Sequence, residues 1–256
     1  MFDNVADVYD RIRPRYPSRL FEDLFRVLPT RPRILEVGPG TGQATRDLLS
    51  RGAVVHAIEI GPAMAAKLRA VLPTSDLTIT VGDFERVPDS DERYDAVVAA
   101  TAYHWIDPES QLDRPAELLD KGGIIGIVDL IQVNTDQDRG FFHAAQPIYE
   151  RYGAGHRGPP APSRSDADPP MRQSLERDAR FTAVKVRQYD WDQSYSAAEY
   201  RQLMLSYSTT QGMEPVARAC LLDEIEAFIN ERFEGVVTRP AVVTLTTAIR
   251  TTRADE

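Results

Sequence analysis

A short apolar run that ends in a glycine-rich turn constrains this chain more than any other segment. Residues 34–43 read Ile-Leu-Glu-Val-Gly-Pro-Gly-Thr-Gly-Gln, and a helix-like segment, Ala44 to Arg51, follows at once. Glycine has no Cβ, so a turn of this kind lets the backbone approach a ligand closely. The acidic Glu36 would repel a pyrophosphate. It suits instead a ligand that carries a cationic amino-acid end.

The spacing of the turn glycines, Gly38, Gly40 and Gly42, separates two kinds of ligand site. A dinucleotide fingerprint, Gly-x-Gly-x-x-Gly counted from Gly38, requires glycine at position 43. That position is Gln43, and the third glycine comes one residue early. The sequence therefore disfavours a nicotinamide-dependent oxidoreductase, which stays open as the rival enzyme class.

Strand-like and helix-like segments alternate over about a hundred residues, which predicts an α/β fold whose mostly parallel, Rossmann-like sheet carries helices on both faces. Strands are predicted at 33–37, 54–59, 77–82, 94–99 and 123–128, and strand character returns at 182–190 and 242–249. Helices are predicted at 18–28, 42–51, 62–72, 109–120, 137–152, 196–205 and 214–233.

Two further acidic residues lie at the ends of neighbouring predicted strands. Glu59 ends the second strand, about 20 residues after the glycine turn, where an acidic side chain accepts hydrogen bonds from ribose hydroxyls. Asp83 follows the third strand and is placed to accept a hydrogen bond from an adenine amino group, with the Phe84 amide against the ring. Open α/β sheets bind ligands at the carboxyl ends of their strands.

These segments together resemble the class I S-adenosylmethionine-dependent methyltransferases, and among them the small-molecule branch (methyltransferase type 11, similar to trans-aconitate methyltransferases). The resemblance covers about residues 1–130 and includes the Ala99–Trp105 segment after strand four. It implies a seven-stranded sheet with an antiparallel last strand, and S-adenosylmethionine as the cofactor. The implied cofactor contacts are Glu36, Gly38, Gly40, Gly42, Glu59, Asp83, Phe84 and Thr101.

The resemblance extends to the leading segment Val5-Ala6-x-x-Tyr9-x-x-x-Arg13-Pro14-x-Tyr16-Pro17. In relatives this segment folds over the cofactor, so Tyr9, Arg13 and Tyr16 are candidates for closing the site. Arg13 is the candidate partner of the methionine carboxylate. A packed N-terminal helix with a surface arginine is the alternative interpretation.

His104 and Trp105 follow the fourth strand, where the resemblance places the acceptor and the transferable methyl group. His104 is the candidate general base, because the unperturbed pKa of histidine lies near neutrality. The alternative is that His104 only shapes the pocket, since an acceptor that is already a nucleophile needs no base. The candidate walls of the acceptor pocket are Tyr103, Trp105, Phe141, Phe142 and Tyr149.

The sequence predicts one methyltransferase domain over residues 1–256. Residues 1–30 are predicted to supply helices that cover the cofactor, and residues 130–178 to form an insertion on the substrate side. Within that insertion, the Gly/Pro/Ser-rich stretch 153–170 reads as a mobile loop. A small-molecule acceptor is expected, and a non-catalytic cofactor-binding regulatory protein is the remaining alternative.

Composition narrows the partners and the location. A net charge of -9 argues against nucleic-acid binding, which requires a clustered basic surface. No metal is expected, because the single cysteine and the spacing of the histidines fit no metal site. A cytoplasmic location without a membrane span is expected from the absence of a signal-peptide pattern and of a long apolar run. The acceptor atom and the oligomeric state stay open.

Overall fold

The computed structural model describes residues 10–13, 15–86, 92–155 and 160–251. Contacts divide the chain into two compact units, which we call the sheet unit and the helical unit. The sheet unit comprises Arg15–Ile131, Asp168–Tyr189 and Val243–Glu256, and the helical unit comprises Met1–Pro14, Gln132–Ala167 and Asp190–Val242. The predicted insertion 130–178 is therefore divided between the units, and its first part joins later segments of the chain in a unit of their own.

The predicted strands and helices occur in the predicted order, with further short elements among them. The strands are β1 (Arg33–Val37), β2 (Val54–Glu59), β3 (Leu77–Val81), β4 (Tyr94–Ala100), β5 (Leu119–Gln132), β6 (Phe181–Asp190), β7 (Gln193–Ser196), β8 (Val236–Arg239) and β9 (Ala241–Arg250). The helices are α1 (Ser18–Phe25), α2 (Thr45–Ser50), α3 (Pro62–Val71), α4 (Ser110–Leu118), α5 (Phe141–Ala144), α6 (Gln146–Arg151), α7 (Arg172–Arg177), α8 (Ala197–Leu205), α9 (Ser208–Gln211) and α10 (Pro215–Arg232). Over the described ranges, no helix is both long and apolar enough to cross a bilayer.

Seven strands form the central sheet in the order β3-β2-β1-β4-β5-β9-β6. The pairs β1–β2, β1–β4, β2–β3 and β4–β5 are parallel. The last strand, β9, runs antiparallel, which confirms the predicted fold class. Because β1 lies between β2 and β4, the connections that leave β1 and β4 run in opposite directions across the sheet, and ligands bind at such a switch point.

The central strands are apolar because both of their faces are covered. Ile34 and Leu35 of β1 are almost fully buried, and Val97 and Val98 of β4 are completely buried. Continuous apolar runs are typical of parallel strands with helices on both faces. Each side chain of this size contributes about 1.5–3 kcal/mol through burial, so the sheet gives the ligand-binding edge a rigid base.

The helical unit has a core of its own. Phe141 is completely buried, and its ring packs edge-to-face against Tyr200 and Phe233, with 5.3 Å between ring centroids in each pair. The antiparallel hairpin of β7 and β8 pairs Ser196 with Val236. Sequence reasoning missed this hairpin, because its two strands are four residues long and are separated by three helices.

The predicted helix 137–152 is broken into a 3₁₀ turn (Asp136–Asp138), α5 and α6. Gly140 has φ 77°, a left-handed conformation that interrupts helical geometry before α5. Pro147 stands in the first turn of α6, where its missing N–H would be unsatisfied in any helix. The segment is helical over most of its length, but Gly140 and Pro147 divide the single predicted helix into shorter ones.

The segment predicted to be a mobile loop, 153–170, contains anchored residues. Arg164 donates hydrogen bonds to both carboxylate oxygens of Asp192, at 2.6 Å each, and to the carbonyl of Ala241 at 3.1 Å. The carbonyl of Pro162 accepts the N–H of Asn134 at 2.8 Å. These contacts argue against mobility of residues 162–164. Mobility of the rest of the segment stays a prediction.

Candidate active site

The glycine turn joins β1 to α2, and packing demands two of its glycines. Gly38 and Gly42 have φ values of 64° and 99°, in the left-handed region that glycine favours. A Cβ on Gly38 would lie 2.6 Å from the Cβ of Ala102, and one on Gly42 would lie 2.7 Å from Cδ1 of Leu68. Gly38 therefore lets the turn lie directly against the segment that follows β4, and Gly42 lets it lie against α3.

Glu59 holds the glycine turn from the end of β2. One carboxylate oxygen accepts the N–H of Gly40 at 2.9 Å, and the other accepts the N–H of Gly61 at 2.8 Å. The side chain is only 6% exposed. Sequence reasoning missed this structural role. The predicted contact with ribose hydroxyls is compatible with it, because each carboxylate oxygen can accept more than one hydrogen bond.

Replacement of Glu59 by alanine is expected to weaken the binding of S-adenosylhomocysteine by about 1–3 kcal/mol, because a charged acceptor is lost. Isothermal titration calorimetry measures this change. Adenosine, which carries the ribose without the amino-acid end, should lose affinity in parallel. If both dissociation constants are unchanged, Glu59 has no role in ribose binding and only holds the turn.

Glu36 lies near the end of β1, and its surroundings show whether the site fits a cationic group. The residue is 1% exposed, and within the described part of the chain its Oε2 atom has no hydrogen-bond partner. Burial raises the pKa of this carboxyl to about 7. The Thr45 hydroxyl opposes that shift, and the negative charge of Glu59 adds to it. A buried carboxyl with one oxygen that lacks a donor among the described residues fits the amino group of S-adenosylmethionine.

Asp83 and Phe84 lie just beyond β3, as predicted. The Oδ1 atom of Asp83 accepts the N–H of Glu85 at 3.0 Å, which forms a local turn. The ring of Phe84 is buried in the core of the sheet unit, so only its backbone is available for the predicted adenine contact. The adenine contacts of both residues stay predictions.

Thr101 begins the segment after β4 in a strained conformation. Its φ is 53°, which is uncommon for a β-branched residue. The Thr101 hydroxyl lies 2.8 Å from the hydroxyl of Tyr16, and its N–H donates to the carbonyl of Val128 at 2.8 Å. Strain of this kind concentrates at functional sites, which supports the predicted involvement of Thr101 and Tyr16.

The other residues of the leading segment are placed differently. Tyr9 lies outside the described residues. Arg13 belongs to the helical unit, where its Nε donates to the Ser206 hydroxyl at 3.0 Å and its Nη2 donates to the Ser206 carbonyl at 3.1 Å. The Arg13 guanidinium also lies 4.7 Å from the ring centroid of Tyr207. Its predicted pairing with the methionine carboxylate stays a prediction.

The segment Tyr103-His104-Trp105 divides between core and surface. Tyr103 is buried, and its hydroxyl donates a hydrogen bond to the carbonyl of Gln111. His104 is exposed and contacts Trp105, with 5.0 Å between ring centroids, and Trp105 is itself 61% exposed. Partial burial of the imidazole lowers the pKa of His104. His104 and Trp105 are thus open to an acceptor, whereas Tyr103 packs in the sheet unit.

The predicted acceptor contacts from region 137–152 lie inside the helical unit. Phe141 is enclosed in its core, and Phe142 packs beside it. The hydroxyl of Tyr149 is 3.2 Å from that of Tyr200, and burial raises the pKa of Tyr149 to about 12. These placements favour packing over acceptor contact for Phe141. The roles predicted for Phe142 and Tyr149 stay predictions.

Sequence reasoning missed Asp129. This residue lies in β5 just beyond Val128, the partner of the last residue of β4. Burial raises the pKa of Asp129 to about 6, and its Oδ2 atom has no hydrogen-bond partner among the residues described. The available signal was an acid that directly follows the apolar run Ile124–Val128, at the end of the predicted strand 123–128.

Comparisons with known proteins agree with this geometry. A methyltransferase domain matches residues 35–127. A Mycobacterium tuberculosis protein described as an uncharacterized methyltransferase is 29% identical over 229 residues, with 89% of this chain and 85% of that protein covered.

Two solved structures share the fold. Phosphoethanolamine N-methyltransferase 2 of Haemonchus contortus, with phosphomonomethylethanolamine and S-adenosylhomocysteine, is 15% identical (TM-score 0.56, 97% of this chain, 57% of that chain). The YcgJ protein of Bacillus subtilis is 13% identical (TM-score 0.54, 93% of this chain, 100% of that chain).

The matched domain, the sheet order and the acidic glycine turn define a class of enzyme. The chain is an S-adenosylmethionine-dependent methyltransferase, and its fold is similar to that of the class I enzymes. Its cofactor is S-adenosylmethionine, as the sequence predicted, and the nicotinamide and non-catalytic alternatives are set aside.

Proposed function

We propose that the enzyme methylates a small-molecule acceptor at the edge of the sheet where the glycine turn and the segment after β4 meet. The observation that carries this proposal is the close approach of Gly38 to Ala102, which brings the cofactor turn next to His104 and Trp105. The net charge of -9 disfavours a nucleic-acid acceptor. The Haemonchus contortus structure holds a small phosphorylated amine, so this fold accommodates an acceptor of that size.

When bound, S-adenosylmethionine supplies a methyl group on a positively charged sulfur. The chain's own residues bind, orient and deprotonate. Glu36 takes the amino group, Glu59 takes the ribose and fixes the turn, and His104 accepts a proton from the acceptor. Holding the acceptor in line with the methyl group makes the reaction effectively unimolecular, a gain worth up to about 7–11 kcal/mol of the barrier.

S-adenosylhomocysteine is expected to raise the melting temperature of the protein, because a ligand that binds only the folded state stabilises it. Gly40→Val should abolish this shift by placing a side chain in the turn. Gly52→Val is the matched control, since Gly52 also has a positive φ (86°) but lies in the turn between α2 and β2, with no atom near its Cβ position. Normal binding by the Gly40 variant would place the cofactor elsewhere.

The acceptor class is tested with radiolabelled S-adenosylmethionine and a cell extract separated into low-mass, protein and nucleic-acid fractions. We expect the label in the low-mass fraction. Label in the protein or nucleic-acid fraction would contradict a small-molecule acceptor while leaving methyl transfer intact.

A further inference from the structure

Asp129 is a half-buried acid at the ligand-binding edge of the sheet, and one of its carboxylate oxygens is fully buried. Its Oδ2 atom has no hydrogen-bond donor among the described residues. Buried carboxylate oxygens in proteins are normally satisfied, because leaving one unpaired costs the full desolvation penalty of the group. The Oδ2 atom of Asp129 is an exception to this rule, which a hydrogen-bond donor on a bound ligand would remove.

The backbone places Asp129 beside residues already assigned to the site. Ala100, the last residue of β4, pairs with Val128 of β5, and the Val128 carbonyl accepts the N–H of Thr101 at 2.8 Å. The residues that follow this pair, Thr101 and Asp129, are therefore level with each other, on neighbouring chain segments about 5 Å apart. Ala102, the next residue, is the one that contacts Gly38 of the cofactor turn. The glycine turn, the segment after β4 and Asp129 thus form a continuous series within the sheet unit.

Among the described residues, no charged group offsets the partial burial of the Asp129 carboxyl. Ile127 and Val128 precede it in the core, and burial alone accounts for the upward shift of its pKa. A nearby arginine or lysine would lower that pKa. An incoming carboxylate would therefore meet an uncompensated acid, whereas an N–H or O–H donor would relieve its desolvation.

We propose that Asp129 accepts a hydrogen bond from the nucleophilic group of the methyl acceptor, and that the acceptor is an amine or an alcohol. This inference rests on the proposed function and narrows its substrate class. Asp129 is then a specificity-determining residue that selects donors and rejects carboxylates. The resemblance to trans-aconitate methyltransferases leads instead to the expectation of a carboxylate acceptor. An experiment can therefore distinguish an amine or alcohol acceptor from a carboxylate.

The test measures small probes binding to the full chain saturated with S-adenosylhomocysteine at pH 7.5, by ligand-observed NMR. The probes are two pairs of similar size, benzylamine with benzoate and ethanolamine with glycolate. In at least one pair, the amine should bind about tenfold to a hundredfold more tightly, as expected for a hydrogen bond to a charged acceptor. Asp129→Asn keeps the shape of the side chain and should bring that ratio close to one.

Asp120→Asn is the matched control, because Asp120 is an exposed acid at the opposite end of the same strand and its loss should leave the preference intact. Failure to bind S-adenosylhomocysteine would overturn the proposed function itself. If S-adenosylhomocysteine binds, either of two results overturns the inference about Asp129 alone. One is that neither amine is preferred over its carboxylate, and the other is that Asp129→Asn retains the preference.

Discussion

Replacement of Glu36 by glutamine is expected to stabilise the ligand-free protein at pH 8 and to weaken its affinity for S-adenosylhomocysteine. The pKa of this buried carboxyl is raised from 4.5 to about 7, so the folded state holds the proton more tightly than the unfolded state. The free energy of unfolding therefore falls as pH rises from about 4.5 to about 7, by an amount on the order of 3 kcal/mol. Glutamine mimics the protonated acid and removes this loss.

The cost of the same substitution appears in cofactor binding. A charged acceptor for the amino group is lost, and affinity should fall by about 1.5–3 kcal/mol, or roughly tenfold to a hundredfold. Urea denaturation at pH 5 and pH 8 measures stability, and calorimetry measures affinity. Glu150→Gln, at an exposed position of α6, removes the same charge and should change neither. An unaltered pH dependence in Glu36→Gln would mean that Glu36 is ionised in the folded protein.

The architecture of the sheet unit was largely predictable from the sequence. β1 and β2 have the predicted bounds, because burial on both faces selects strands rich in Val, Ile, Leu and Ala. Glu36 was predicted as a site residue because a carboxylate suits a cationic ligand end, and Glu59 because it ends the second strand about 20 residues after the glycine turn. The spacing of the glycines was informative because a Cβ at Gly38 or Gly42 would collide with a neighbouring side chain.

The helical unit was predicted less well for a physical reason. Its core combines short elements that are distant in sequence, such as α5 with α8 and α10, and no local pattern encodes that association. Phe141 and Tyr149 read equally well as pocket walls or as core, since aromatic residues supply both. The partner that Arg13 contacts, Ser206, is separated from it by most of the chain, so sequence reasoning assigned it a ligand instead.

Asp129 shows a different limit of prediction. An acid after a buried strand is common at a solvent-exposed strand end, and only the structure reveals that the Oδ2 atom of Asp129 is buried without a hydrogen-bond donor among the described residues. The role of Glu59 as a holder of the glycine turn was hidden for a similar reason, because backbone N–H groups carry no sequence signal. The sequence predicts which edge of the sheet carries the site. The burial of the side chains at that edge then decides which of them can bind a ligand.

Replacement of His104 by glutamine is expected to lower kcat by about 10²–10⁴-fold, the usual contribution of a positioned general base. An amine or alcohol acceptor must lose a proton, and His104 is an exposed titratable group directly after β4. Partial burial of the imidazole ring lowers the pKa of His104 from its usual 6.5, so the ring is neutral and able to accept a proton at pH 7. The wild-type kcat should accordingly rise with pH through a pKa below 6.5 and level off near neutrality.

The measurement is the pH profile of kcat for wild type and variant, with an acceptor found in the low-mass fraction. The dissociation constant of S-adenosylhomocysteine should be nearly unchanged, because His104 acts on the acceptor. His143→Gln is the matched control, since His143 is an exposed histidine of α5 in the helical unit. A kcat within a few-fold of wild type, together with a flat profile, would remove His104 from proton transfer. Catalysis would then rest on orientation of the acceptor alone, with Asp129 as the residue that orients it.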